Sequence, residues 1–88
     1  MKINILSSTQ KKILSCLYFI EPFEQLLSET QLPKPILCDE IKTLLAHRLI
    51  AVFQFNQTLK DWQETTLFDS DNLDNYAFCI TQAGLAKH

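Results

Sequence analysis

Apolar residues recur along the first half of this chain every three or four positions, and in the second half they gather into short β-rich runs. Ser7 and Gln10 have the S-x-x-Q spacing of a capping box, which predicts a helix beginning after them. Ile13, Leu14, Leu17 and Tyr18 supply its inward side, and Lys11 and Lys12 its polar side. Pro22 is expected to stop that helix, since the residue before a proline avoids the α region. "FEQLLSETQ" predicts a short second helix with Phe23, Leu26 and Leu27 inward. After the turn "QLPKP", Pro35 suits the first turn of a third helix, where a missing amide costs nothing. Its stripe is Leu37, Ile41, Leu44 and Leu45, leaving Lys34, Cys38, Asp39, Lys42 and Thr43 on or near the outer face.

From about Leu49 to Phe55 the composition predicts a strand, and "YAFCI" at Tyr76–Ile80 predicts its partner. Thr81 can cap a short last helix, "QAGLAKH". Between the strands, Asn56 to Asn75 has neither Gly nor Pro, and it contains Leu59, Trp62, Leu67, Phe68 and Leu73. A connection of about 20 residues is unusual inside a compact domain. It can fold back as a cover, extend the hairpin or form a dimer surface; the cover is favoured because it would bury Trp62. "DSDNLDN" reads as a solvated turn, with an acidic binding patch as the alternative.

Composition narrows the picture. With 88 residues and 47% apolar content, the chain supplies one compact core. No apolar run approaches the ~18 residues of a membrane span, and the start lacks a secretory pattern, so the expected location is the cytoplasm. Cys16, Cys38 and Cys79 are odd in number and far apart, which predicts plain thiols rather than disulfides or a zinc site; Cys38 is the best-placed redox candidate. No metal or other cofactor is expected. The net charge of −2 is uneven: residues 1–50 carry six Lys/Arg against five Asp/Glu, and residues 51–88 two against five. A strong general pull toward phosphate is absent, so any nucleic-acid contact must be local.

Two stretches carry a resemblance. "FEQLLSETQLPKPILCDEIKTLLAHRLI" resembles the helix-turn-helix of the winged-helix transcriptional regulators, in the broad sense that includes the multiple-antibiotic-resistance-type repressors. Leu32, Leu37, Ile41, Leu44, Leu49 and Ile50 fall where that family has core aliphatics. "FCITQAGL" is similar to the family's closing "y-x-L-T-x-x-G", with Ile80, Thr81 and Gly84 matching. The chain departs from the pattern at Arg48, where the family often has Gly, and at Cys38, Asp39 and Glu40, where it often has Ser, Arg or Lys. Its wing is acidic where the family's is often basic.

The resemblance implies a mainly α domain with a small β hairpin (an α+β winged helix-turn-helix), in the order α-α-α-β-long wing-β-short α. One domain would cover 1–88, with the helix-turn-helix at about 23–48 and the wing hairpin at about 49–80. It also implies double-stranded DNA as partner, read by a dimer with the helix after Pro35 in the groove. Lys34 would meet a phosphate together with helix N-terminal amides, and Lys42 and Thr43 would reach backbone or base edges. Lys11, Lys12 and Arg48 would add flanking contacts, and Asp39 or Glu40 could accept from a cytosine amino group. Against that, Asp39 could simply pair with Lys42 on a solvated face.

A second class of function is a protein-interaction or dimerisation module without direct DNA binding. "AVFQF" is apolar on both faces, so Phe53 and Phe55 need a cover, and Leu59, Trp62, Leu67 and Phe68 are candidate interface residues with them. An enzyme is not expected: no nucleophile, histidine and carboxylate show catalytic spacing, and Gly84 is the one glycine, so no glycine-rich phosphate loop is possible.

Overall fold

A computed structural model describes residues 6–88; the reading drawn from the opening residues 1–5 lies outside them. These residues form a small α+β domain of four α-helices and a four-stranded antiparallel sheet. The helices are α1 (Ser8–Ser15), α2 (Phe23–Thr30), α3 (Lys34–Ala46) and α4 (Gln82–Lys87). The strands are β1 (Glu21–Pro22), β2 (Ile50–Asn56), β3 (Asp61–Thr65) and β4 (Ala77–Ile80), in the order β1-β4-β2-β3.

α1 starts on the capping box: the Ser7 hydroxyl accepts the Gln10 N–H and the Gln10 side chain accepts the Ser7 N–H, both at 3.0 Å. It ends at Cys16, well before Pro22, which corrects the expected boundary. The chain leaves the helix early because it is drawn beside β4: the Ile80 N–H donates to the Leu17 carbonyl at 2.8 Å, and Pro22 then pairs with Ala77 as part of β1. Ile13, Leu14 and Leu17 are fully buried, whereas Tyr18 is 48% exposed, contrary to the expected stripe. Tyr18 serves another contact. Ser15 donates its hydroxyl to the Lys11 carbonyl, so the His88 Nε2–H donates to Ser15 (3.0 Å) and Nδ1 accepts from Tyr18 (2.6 Å). This clasp ties the end of α4 to α1.

α2 and α3 follow the expected stripes. Phe23 and Leu26 from α2, and Leu37, Ile41 and Leu44 from α3, are buried in one cluster with Ile50, Val52 and Phe78. The turn between the helices passes through Gln31 in the left-handed region (φ 55°), and α3 takes Pro35 in its first turn. After α3, Arg48 also adopts a left-handed conformation, φ 59°. That position favours glycine, and an L-residue there costs about 1 kcal/mol. It lets the Leu49 N–H return to the Leu44 carbonyl and starts β2 at Ile50.

The connection after β2 divides into two. Its first part forms β3, which extends the hairpin and pairs Phe55 with Trp62 and Gln54 with Gln63. Its second part folds back: Leu73 is 2% exposed within the core, in a 3-10 turn at Leu73–Asn75. The segment thus buries Leu73 and not Trp62, and it does so on the core side of the sheet rather than over Phe53 and Phe55. Trp62 stays on the hairpin, edge-on to Phe55 with ring centroids 5.3 Å apart. The expected element order thus lacked two strands, β1 and β3.

Candidate nucleic-acid interface

α3 is held by its inward side, and that fixes what it shows to solvent. With Leu37, Ile41 and Leu44 buried, helical periodicity turns Pro35, Ile36, Asp39, Lys42, Thr43 and Ala46 outward, and all six are exposed. Cys38 is not among them. It lies one position beyond Leu37, on the flank of the stripe, and packs half-buried against the core, so less of it is open to a partner than expected. Glu40 is withdrawn too. The capping box uses only the Gln10 carbonyl oxygen, so the Gln10 amide is free to donate to Glu40 Oε1 at 3.1 Å, between α1 and α3. Of the two acids that conflict with a groove-reading helix, one faces inward.

The outer face then reduces to a small set. Thr43 donates its hydroxyl to the Asp39 carbonyl at 3.1 Å, so toward a partner it offers acceptor lone pairs. The alternative Asp39–Lys42 pair does not form: Lys34–Asp74 is the one ion pair among the described residues, at 3.2 Å. Lys34 lies 6.0 Å from the centre of the Phe23 ring as well. Its ammonium is already engaged, unlike that of Lys42. Lys11 and Lys12 are exposed on α1, and Arg48 is exposed after α3, but no direct contact joins them to Lys42 or Thr43.

The hairpin has two unlike faces. One carries the side chains of Gln54, Asn56 and Gln63, and Asn56 donates to Gln63 at 2.9 Å and accepts the Leu59 N–H at 3.0 Å. These bonds organise a four-residue tip, 57–60, closed by Lys60 at φ 53°. The opposite face, turned away from the core, carries Ala51, Phe53, Phe55, Trp62, Glu64, Ala77 and Cys79 by strand alternation and register. Phe55 is 39% exposed there, with Phe53 and Trp62 half-buried. The remaining interface candidates lie elsewhere: Leu59 is in the tip, Leu67 is exposed in the following loop, and Phe68 packs half-buried on the domain's own core.

Three features were not legible from spacing. Asp74 meets Lys34 across forty residues, Gln10 meets Glu40 across thirty, and the acidic turn lies alongside α3. The spare amide of a capping-box Gln is the only one of these with a local signal. The thiols are all free, and burial pushes Cys16 and Cys79 above the usual range, with Glu29 adding to the effect at Cys16. Such thiols are poor nucleophiles at neutral pH. Among the described residues no cluster of ligating side chains could hold a metal ion, and no helix is long and apolar enough to cross a membrane.

No protein-family model, curated protein or solved structure matches the chain.

Proposed function

We propose that this chain is a winged-helix DNA-binding protein of the transcriptional-regulator kind, with α3 as the recognition helix and the β2–β3 hairpin as its wing. The placement of a short strand between α1 and α2, paired with β4, and of the β2–β3 hairpin and β4 after α3 supports that topology. The observation that carries the functional reading is the state of α3. Lys42, Thr43 and Asp39 are open on a helix whose other side is locked in the core, and Gln10 holds Glu40 away from that face. In this reading Lys42 meets a phosphate, Thr43 and Asp39 accept from base amino groups, and the amides of the wing supply neutral contacts. Neutral polar groups suit a protein without a general positive field. The working form is a homodimer in the cytoplasm; the partly exposed aromatic face of the hairpin supports the dimer as a surface for a second copy.

The test is duplex binding by the Lys42→Ala variant. Its affinity should fall on every sequence, and its salt slope should flatten by roughly 0.9, the value of one phosphate contact. An unchanged slope would remove Lys42 from the site. If only the aromatic face proves active, the chain is a protein-interaction module instead.

A further inference from the structure

The acidic turn at 69–74 is built as a fixed object, and it is built against α3. Leu73 anchors it in the core, and Phe68 stands edge-on to Tyr76 with centroids 6.2 Å apart. The Tyr76 hydroxyl accepts the Asp69 N–H at 2.9 Å. Asp69 then accepts the Asp71 N–H at 3.0 Å and the Asn72 side-chain amide at 2.6 Å, and these bonds hold its carboxyl below the usual range, hence ionised. The turn contacts one lysine of the helix directly and shares a groove with the other. Asp74 pairs with Lys34 at the N-terminal end, and Phe68 and Ser70 line a shallow groove of about 280 Å³ with Lys42, Leu45 and Ala46 further along. Eight residues of helix separate the two lysines, roughly 12 Å, so the turn runs along much of α3.

From this placement we infer that the 69–74 turn is an electrostatic guard, which keeps Lys34 from phosphate and weakens the field at Lys42. The inference rests on the DNA-binding reading of α3. Asp74 lies 3.2 Å from the Lys34 ammonium, well inside a Debye length of about 8 Å at physiological salt, and Asp69 and Asp71 belong to the same six-residue turn. Generic polyanion binding is thereby suppressed, and only a duplex that also satisfies Thr43 and Asp39 is retained. The Lys34–Asp74 pair is exposed on both sides, and such pairs are worth little, so the guard acts by competition and not as a rigid lock.

The experiment compares the wild-type chain with Asp71→Asn/Asp74→Asn by fluorescence anisotropy on a random 30-base-pair duplex pool at several salt concentrations. Asp69, which holds the turn, is left in place, and circular dichroism checks the fold. The double variant should bind roughly three- to tenfold tighter at low salt, with a slope steeper by about one phosphate contact. Adding Lys34→Ala should remove the gain in slope. Binding by the variant alone would support both the guard and the DNA reading. Wild-type binding with equal affinity and slope in the double variant would overturn the guard and leave the DNA reading standing. If neither binds at the lowest salt, the DNA reading fails and the guard fails with it.

Discussion

Leu73→Ala is expected to lower the unfolding free energy by about 3 kcal/mol, within the range for burying and then deleting a leucine side chain. Leu73 is 2% exposed and belongs to the same cluster as Phe23, Leu37 and Phe78. A domain of 88 residues has on the order of 5–10 kcal/mol in total, so the loss would be a large fraction of it. The cost should exceed that of Leu59→Ala or Leu67→Ala in the same connection, because those side chains are 61% and 84% exposed. Urea denaturation of the three variants would decide it. A loss under about 1 kcal/mol for Leu73→Ala would mean that the connection does not complete the core.

Gly84→Ala gives the second large effect, and its sign is informative. Helix propensity alone would have alanine stabilise α4 by about 1 kcal/mol. Space decides otherwise. A Cβ on Gly84 would overlap the Leu49 carbonyl oxygen and lie 2.6 Å from Ile80 Cγ1. The Ile80 side chain can shift, but the Leu49 carbonyl is fixed, since it accepts the Thr81 N–H at 3.0 Å and belongs to the backbone leading into β2. Thr81 adds to the constraint by donating its hydroxyl to the Arg48 carbonyl at 2.8 Å while accepting the Gly84 N–H at 3.1 Å. Overpacking against backbone costs typically 1–3 kcal/mol, so a net destabilisation of about 2 kcal/mol is expected. A rise in the denaturation midpoint would show that α4 does not sit this close to the start of β2.

What the sequence made legible, and what it hid, divide along the range of the forces involved. The Ser7–Gln10 box, the stripes of α2 and α3 and the Thr81 cap are local, and each appears where its spacing put it. β1 was invisible because two residues, Glu21 and Pro22, have no period to read, and their pairing depends on a strand more than fifty residues away. β3 was hidden by its composition: "DWQET" is an edge strand with Trp62 as its single large apolar residue. At the candidate site, Asp39, Lys42 and Thr43 could be placed from helical period alone. The pairing of Lys34, the contact of Glu40 with Gln10 and the partial burial of Cys38 depend on which neighbours the fold delivers to their flanks, and spacing carries no record of that. The conflict between a groove-reading helix and its two acids is half resolved by the Gln10–Glu40 contact, and Asp39 remains outward.

The measurement that bears most directly on the DNA-binding reading is a titration of the purified wild-type protein on the random 30-base-pair duplex pool, read by fluorescence anisotropy across a range of salt. The account predicts micromolar binding whose affinity falls with salt at a slope of a few phosphate contacts, shallow for the class because so few cations are free on and around α3. No binding even at the lowest salt, by the wild type or by the Asp71→Asn/Asp74→Asn variant, would contradict it, and would move α3 and the aromatic face of the hairpin to the surface of a protein-interaction module.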